Sequence, residues 1–288
     1  MDIEKITRFA DHLAAASREG VGVTPLTLLD PQFSEIEAYQ VQLKTIERKV
    51  KEGARITGKK IGLTSRAMQT LLGVEQPDYG HLLDDMVVEN NGELPFEHVL
   101  SPKVEAEIAF LLKRDLEGPH VTTYDVLMAT EYVMPALEIV DSRIANWQIK
   151  LEDTVADNAS SGFYVLGGHP VKPQDLDTVA DNASSGFYVL GGHPVKPQDL
   201  DLPLIGMALY KNQELVNTGV GAAALGNPAS CVAWLANKLH ELGMTLKAGE
   251  IILSGALSAA VEAKPGDVFH TRLAGLGSVG VRFGEKKT

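Results

Sequence analysis

The sequence predicts an α+β protein, in which helices gather near the N-terminus and strands supply most of the rest. Two early stretches, 2–19 and 34–53, repeat apolar residues at three- and four-residue spacing, the period of an amphipathic helix. A run at 103–112 alternates its side chains as a strand does, and from residue 204 onwards most segments have β-type patterns. Helices and strands that occupy separate parts of a chain are typical of the α+β class.

Both N-terminal helices carry end signals. Gly20 lies just past the end of the first helix, whose apolar stripe comprises Ile3, Ile6, Phe9, Ala10 and Leu13. The second begins at Ser34 with Glu37 three residues on, the pattern of a capping box, and stops at Gly53. Its predicted apolar stripe comprises Ile36, Tyr39, Leu43, Ile46 and Val50. We expect these helices to be packing elements and assign them no chemistry.

The strand at 103–112, KVEAEIAFLL, holds the main candidate for chemistry. Glu105 and Glu107 share one face, and their Cβ atoms are about 7 Å apart along a strand. Two carboxylates so placed suit a hard divalent ion such as Mg²⁺ or Mn²⁺. The alternative is an antiparallel strand with one solvated face. Because Ala109 and Leu111 continue the carboxylate face, the pattern favours the wall of a cleft.

Neighbouring segments supply further candidates. Residues 54–66 predict a short basic strand in which Lys59 and Lys60 point to opposite faces. A lysine pair is usually solvated, but an inward lysine beside a metal site could move protons or stabilise an enolate. Residues 76–86 predict an acidic loop containing Asp78, His81, Asp84 and Asp85.

A third carboxylate follows later in the chain. Thr122 and Asp125 form a capping box that predicts a helix through Met134, where Pro135 ends it. The next residues have β character and place Glu138 between apolar neighbours, so Glu138 is the third candidate ligand. Its alternative role is a buried ion pair with Arg143 or Lys60.

Composition excludes several classes of function. A net charge of −12 and a pI near 5.1 argue against a nucleic-acid-binding surface, which depends on Lys and Arg. No apolar run approaches the roughly 20 residues of a membrane helix, and the charged N-terminus has no secretory pattern. Cys231 is the single cysteine, which is typical of a reducing compartment. We therefore expect a cytoplasmic protein with no membrane or nucleic-acid partner.

The chain contains an exact tandem repeat. Residues 153–176 recur letter for letter at 177–200. Solenoid repeats diverge and need three or more units, so this pair does not predict a solenoid. Because the copies are identical, the fold can take the first part of one copy and the last part of the other. Closing a 24-residue loop costs only about 3 kcal/mol, so the domain can tolerate the insertion.

Several motifs together carry a resemblance that covers nearly the whole chain. They are VTPLT near residue 23, GKKIGLTSRAMQTLLGVEQPDYGHLLDDM, VEAEIAF, PALEIVDSRI, DTVADNAS and LKAGEIILSG. In this combination the sequence resembles the 2-hydroxypenta-2,4-dienoate (2-oxopent-4-enoate) hydratases of aromatic meta-cleavage pathways, members of the fumarylacetoacetate hydrolase superfamily. The resemblance implies a mixed β-roll with a small helical N-terminal region. On this basis we expect an N-terminal region at 1–75 and a catalytic domain at 76–288.

The resemblance also implies a reaction and a site. The reaction is that of a hydro-lyase, a lyase that adds water to 2-hydroxypenta-2,4-dienoate and gives 4-hydroxy-2-oxopentanoate. Glu105, Glu107 and Glu138 would hold Mg²⁺ or Mn²⁺, with Lys60 and Asp78 as catalytic residues. Candidate substrate-binding residues are Asp157, Asn158, Ser160 and Ser254, with the repeat twins Asp181, Asn182 and Ser184.

Other assignments stay open from the sequence alone. A related family in the same superfamily, 4-oxalocrotonate decarboxylase, has the same metal carboxylates. Hydrolysis of an acylpyruvate is a third candidate, and a non-catalytic assembly or stabilising subunit is the alternative of another class. The resemblance further implies a homo-oligomer and a possible association with 4-oxalocrotonate decarboxylase.

Overall fold

The computed structural model describes residues 2–66, 69–70, 73–167, 169–171, 188–190 and 195–286, of which 169–171 and 188–190 are described by their backbone only. Helices and strands are both present in these ranges, and the predicted α+β class is confirmed. The described α-helices are α1 (Ile3–Glu19), α2 (Leu26–Leu29), α3 (Glu35–Lys51), α4 (Thr123–Ala129), α5 (Leu151–Ala156) and α6 (Pro228–Glu241). None of the helices in these ranges is long and apolar enough to cross a membrane.

The described strands form two main sheets and a short hairpin-like pair. In chain order they are β1 (Ile56–Gly62), β2 (Asp78–Leu83), β3 (Val87–Val88), β4 (Glu93–Leu94), β5 (Lys103–Leu112), β6 (Thr130–Val140), β7 (Ser161–Leu166), β8 (His169–Val171), β9 (Tyr188–Leu190), β10 (Gly206–Lys211), β11 (Glu214–Val220), β12 (Ile251–Leu253), β13 (Val261–Glu262), β14 (Val268–Leu273) and β15 (Gly277–Phe283). The larger sheet has the order β2-β1-β12-β5-β6-β7-β3, with β13 also paired to β5. The second has the order β11-β10-β14-β15-β4.

The N-terminal helices form as predicted, with small differences in which residues they bury. Gly20 ends α1 in the left-handed conformation, and Ser34 and Glu37 form the capping box of α3. However, Ile3 is 73% exposed and Ile36 is 72% exposed. The buried face of α3 includes Gln42, a polar position on the stripe, because its carboxamide finds hydrogen-bond partners inside the protein.

The predicted helix from Thr122 to Met134 is wrong in its second half. Thr122 caps α4 through its capping box, but the helix ends at Ala129 and strand β6 begins at Thr130. Pairing with β5 along the whole length of β6 outweighs the helical pattern of this short stretch. Pro135 lies within the strand, where its carbonyl oxygen accepts a hydrogen bond from Gly167.

The predicted acidic loop at 76–86 is also wrong. Asp78–Leu83 is strand β2, buried at every position, and a 3₁₀ turn at Asp84–Met86 follows it. Its sequence lacks β-branched residues and has only Tyr79 as a strong β former, so the local strand signal is weak. Antiparallel pairing with β1 decides the conformation, with Lys60 opposite Gly80 and Gly62 opposite Asp78.

The two faces of the larger sheet differ in what they bury. Val104, Ala106, Ile108 and Phe110 of β5 join the main hydrophobic core, which also takes residues from α1, α3 and α6. The opposite face carries a smaller apolar cluster that includes Ala109, and Leu111 packs against it. The carboxylate face of β5 is therefore enclosed, as its apolar continuation predicted.

The described elements take the first part of one repeat copy and the last part of the other. The first copy supplies most of α5, the turn after it and β7, and β7 belongs to the larger sheet. From the second copy, Val195 bridges to Val133 of β6, and Pro197–Asp199 forms a 3₁₀ turn. Strands β8 and β9 pair with one another, one from each copy.

Candidate active site

Three carboxylates converge on the enclosed face of the larger sheet. Glu105 lies directly opposite Glu138 in the antiparallel register of β5 and β6, and Glu107 follows two residues later on the same face. The pleat therefore points all three side chains to one side. One oxygen from each of Glu105, Glu107 and Glu138 lies within 4.8 Å of the others.

Burial and the charges of neighbouring carboxylates disfavour the ionised forms of Glu105 and Glu107. Glu107 and Glu138 are 0% and 1% exposed, and Glu105 is partly buried. Burial, followed by the charge of Glu138, raises the pKa of Glu105 to about 7. Burial and the charges of Glu138 and Glu105 raise the pKa of Glu107 well above its ordinary value. The cluster lacks enough positive charge for three carboxylates.

Strand β1 brings Lys60 to the carboxylates. The Nζ of Lys60 lies 3.0 Å from Oε1 of Glu138, so the predicted alternative of an ion pair with Lys60 is present. Burial disfavours the ammonium, but the charges of Glu138, Asp78 and Glu105 outweigh it and raise the pKa of Lys60. Lys59 points to the other face and pairs with Glu250 at 2.7 Å. Neither lysine is solvated.

Asp78 stands beside Lys60 at the start of β2. Its carboxylate is buried, and neither oxygen receives a hydrogen bond from another of the described residues. Burial raises the pKa of Asp78 to about 6, against the opposing charge of Lys60. Gly62 makes room for it, because a Cβ there would fall 2.2 Å from Oδ1 of Asp78 and 3.7 Å from Nζ of Lys60.

The backbone just after the end of β12 orients the side chain of Glu107. The backbone N–H of Gly255 donates to Oε2 of Glu107 at 2.7 Å. Gly255 has a φ of +103°, and a Cβ there would fall 2.2 Å from Oγ1 of Thr64, so glycine is required on both counts. Ser254 is fully buried, and its hydroxyl lacks a hydrogen-bond partner in the described part of the chain.

The other candidate substrate-binding residues differ in what their side chains already contact. Asp157 forms a salt bridge with Arg143, and Asn158 pairs with the backbone of His81. Burial raises the pKa of Asp157 to about 6, although Arg143 opposes the shift. Ser160 is buried, and its hydroxyl finds no partner within the described ranges. The twins Asp181, Asn182 and Ser184 lie outside the described residues.

The residues present fit a divalent cation. Oε1 of Glu107 and both oxygens of Glu138 are buried without a hydrogen bond from any described residue, although Lys60 gives Glu138 its ion pair. Buried acceptors of this kind need a cation or donors to offset their lost hydration. An all-oxygen set of carboxylates is the ligand chemistry that Mg²⁺ and Mn²⁺ favour.

Sequence reasoning missed the supporting residues of this site. Gln42 carried a signal, since it lies three residues after Tyr39 and four before Ile46 on the buried stripe of α3. A polar residue at such a position predicts an internal hydrogen-bond partner. The backbone donor at Gly255 has no signal beyond a glycine after a buried strand, and the sequence suggests Arg143 only as a partner of Glu138.

Comparisons with known proteins agree with this architecture. The sequence profile of the family described as fumarylacetoacetate (FAA) hydrolase, C-terminal, matches residues 84–283. A 2-keto-4-pentenoate hydratase of Paraburkholderia xenovorans (strain LB400) is 45% identical over 274 residues, which cover 95% of this chain and 93% of that protein. A 2-hydroxypent-2,4-dienoate hydratase of Pseudomonas putida is 45% identical over 245 residues, 85% of this chain and 100% of that protein.

A solved structure shares the fold over nearly all of the chain. The 4-oxalocrotonate decarboxylase from Pseudomonas putida G7, complexed with magnesium and adipate, is 36% identical, with a TM-score of 0.87 and coverage of 98% of both chains. The predicted fold of the fumarylacetoacetate hydrolase type is thereby confirmed. From its sequence and its fold, this chain belongs to the fumarylacetoacetate hydrolase superfamily and, within it, to the family of the 2-keto-4-pentenoate hydratases.

Proposed function

We propose that this protein is a divalent-metal-dependent hydratase of aromatic meta-cleavage catabolism. It adds water to 2-hydroxypenta-2,4-dienoate and releases 4-hydroxy-2-oxopentanoate. The observation that carries the proposal is the convergence of Glu105, Glu107 and Glu138 within 4.8 Å, beside Lys60 and Asp78. The 45% identity to proteins named as hydratases supports this chemistry over others that such a site could perform.

In this proposal Glu105, Glu107 and Glu138 hold Mg²⁺ or Mn²⁺. Magnesium in the structurally similar decarboxylase supports this choice of ion. When bound, the divalent cation supplies Lewis-acid stabilisation of negative charge that develops on the substrate's 2-oxygen. The N–H of Gly255 keeps one oxygen of Glu107 oriented, which leaves the other free to act as a ligand.

Lys60 and Asp78 have separate tasks. Because its pKa is raised, Lys60 stays protonated and attracts the anionic substrate and its developing enolate. Asp78 has a pKa of about 6, so its carboxyl group can both take up and release a proton near neutral pH. We assign it the proton transfers at the substrate carbons and at water. The unpartnered hydroxyls of Ser160 and Ser254 are available as donors to substrate oxygens.

The reaction balances with water as the only co-substrate. A proton leaves the 2-hydroxyl of the dienol and a proton is added at C5, which gives the conjugated 2-oxo-3-enoate. Water then adds its oxygen at C4 and a proton at C3, because conjugation with the 2-oxo group makes C4 electrophilic. A carboxyl group of intermediate pKa beside a fixed ammonium matches these paired proton transfers.

Decarboxylation of 4-oxalocrotonate is the second candidate. The observation that favours it is the TM-score of 0.87 to a 4-oxalocrotonate decarboxylase over 98% of the chain. That reaction loses CO₂ and needs no added water, so its product distinguishes it. The resemblance to these families also leads us to expect a homo-oligomer that can associate with a decarboxylase. Size-exclusion chromatography with light scattering, alone and with a purified 4-oxalocrotonate decarboxylase, tests both associations.

The deciding experiment follows the absorbance of 2-hydroxypenta-2,4-dienoate with and without EDTA and identifies the product by mass spectrometry. Metal-dependent decay that yields the water adduct would establish the hydratase. No turnover of this substrate, together with CO₂ release from 4-oxalocrotonate, would establish the decarboxylase. A matched control is Glu131→Gln, because Glu131 lies on the same strand as Glu138 but is 38% exposed in a loose pair with Lys113. It should retain full activity, whereas Glu138→Gln should lose it.

A further inference from the structure

The outer edge of β2 is closed by two side-chain carboxamides. Strand β2 is the last strand of the larger sheet, and β1 covers only its inner edge. An edge strand presents backbone groups that need other partners when they are buried. The carboxamide of Asn158 accepts from the N–H of His81 at 2.8 Å and donates to its carbonyl oxygen at 2.9 Å. It thus replaces one residue of a neighbouring strand.

Gln42 of α3 closes the same edge at Tyr79. Its Nε2 donates to the carbonyl oxygens of Tyr79 at 3.0 Å and of Val155 at 2.8 Å. Its Oε1 lies 3.1 Å from Nδ1 of His81. Because a carboxamide oxygen only accepts, Nδ1 of His81 carries the proton in this contact. Gln42 is completely buried and ties β2 to both α3 and α5.

The turn that carries Asn158 lies over the catalytic face of β2. A Cβ on Gly80 would fall 2.3 Å from the carbonyl oxygen of Asn158, so the turn packs directly against this glycine. Gly80 is opposite Lys60 in the sheet, and side chains of opposite residues point to one face. Asn158, Ala159 and Ser160 all have φ between +51° and +56°. Such conformations persist only where the surroundings hold them in place.

We propose that Gln42 and Asn158 are positioning residues that set the place of the Asp78 carboxylate relative to Lys60. The carboxylate of Asp78 has no hydrogen bond from another described residue to orient it, so its place depends on the backbone of β2. The two carboxamides hold the outer edge of that strand at Tyr79 and His81, and Tyr39 adds a hydrogen bond to the backbone of Tyr79. This inference rests on the proposed function, in which Asp78 transfers protons.

The chain offers a matched control. On the contact between α4 and α6, Asn237 accepts from the N–H of Val121 at 2.8 Å and donates to its carbonyl oxygen at 3.0 Å. This is the same carboxamide–backbone pair, made outside the site. Asn158→Asp and Asn237→Asp each keep the acceptor and replace the donor with an oxygen that faces a carbonyl. Gln42→Met removes the contacts of Gln42 without adding charge and gives a second, independent variant.

The experiment measures five quantities on the full chain: the melting temperature, the affinity for Mg²⁺ by calorimetry, hydrogen–deuterium exchange of the segment 78–83, and kcat and KM for the dienoate. In Asn158→Asp and Gln42→Met we expect faster exchange in this segment. We also expect a kcat lowered on the order of 100-fold, because a displacement of about 1 Å costs that much in catalysis. KM and the Mg²⁺ affinity should stay within about threefold, since the glutamates lie on other strands. In Asn237→Asp the melting temperature should fall by an amount similar to that in Asn158→Asp, whereas kcat should stay unchanged.

Three results would overturn the proposal. The first is that Asn158→Asp and Asn237→Asp lower the melting temperature equally and that Asn158→Asp lowers kcat no more than Asn237→Asp does. Another is faster exchange of the segment 78–83 with an unchanged kcat, which would make the carboxamides structural only. A wild-type protein that binds Mg²⁺ and turns over neither dienoate nor 4-oxalocrotonate would overturn the proposed function, and this positioning role with it.

Discussion

Replacing Glu105 with glutamine separates a metal site from a structural cluster of carboxylates. Folding raises the pKa of Glu105 from 4.5 to about 7 through burial and the charge of Glu138. At a pH above both values, keeping this group ionised in the folded protein therefore costs on the order of 3 kcal/mol. A neutral glutamine of the same shape avoids that cost. Without metal, Glu105→Gln should be more stable than the wild type.

The expected size of the effect follows from this free energy. A chain of this size gains roughly 2 °C in melting temperature for each kcal/mol, so the metal-free variant should melt about 6 °C higher. Mg²⁺ at a hundredfold excess over its Kd stabilises the wild type by about 2.7 kcal/mol. In the variant, which lacks one of the three proposed carboxylate ligands, this stabilisation should largely disappear.

The assay is thermal unfolding with EDTA and with Mg²⁺ near pH 8, where Glu105 is ionised. Glu131→Gln serves as the control, since an exposed ion pair such as Glu131–Lys113 contributes only about 0–1 kcal/mol. A Glu105→Gln variant that loses stability without metal and keeps the full Mg²⁺ response would refute the reasoning. The cluster would then be structural.

Three further predictions test the site and the repeat. In metal-free protein, unfolding releases the proton of Glu105 between pH 4.5 and about 7, so stability should fall as pH rises through this window. Saturating Mg²⁺, which binds the ionised form, should reverse the slope in unfolding measured at about pH 5 and about pH 8. Gly255→Ala should lose more than about 2 kcal/mol of stability and weaken Mg²⁺ binding seen by calorimetry, because the Cβ meets Thr64 and displaces the donor to Glu107. Gly249→Ala, at φ +84° in open space, should lose only about 1 kcal/mol and keep Mg²⁺ binding, and equal losses would contradict this account. Deleting 177–200 should preserve the fold and raise the stability by up to about 3 kcal/mol in denaturant unfolding, by removal of a long loop, and a less stable product would show that both copies are needed.

The geometry near Val133 supports the deletion. Val195 bridges to Val133, three residues along β6 from the point where Leu166 pairs with Ala136. In the shortened chain Val171 takes the place of Val195, so five residues span this distance. A chain reaches about 3.3 Å or more per residue, which is ample. Deleting either copy gives the same 264-residue sequence, so one variant tests both possibilities.

Local sequence patterns correctly predicted the helices and strands that carry their own signals, namely helix caps and the alternation of side chains along a strand. The caps of α1 and α3 and the alternation of β5 formed as expected, because capping and pleat are short-range properties. The predictions that were wrong concerned β2 and the first half of β6, where pairing with distant strands decided the conformation. A local rule does not include the partner strand, so it cannot predict the pairing that decides these two segments.

The sequence by itself determined the class of the fold, the alternation that puts Glu105 and Glu107 on one face, and the family resemblance. Only the tertiary structure decided that Glu138 lies opposite Glu105, that Lys60 pairs with it, and that Asp78 is buried beside them. It also decided that Asn158 holds the backbone of His81 with its carboxamide. The physical reason is range: side-chain periodicity acts over a few residues, whereas strand register and the supply of partners for buried polar groups depend on segments far apart in the chain.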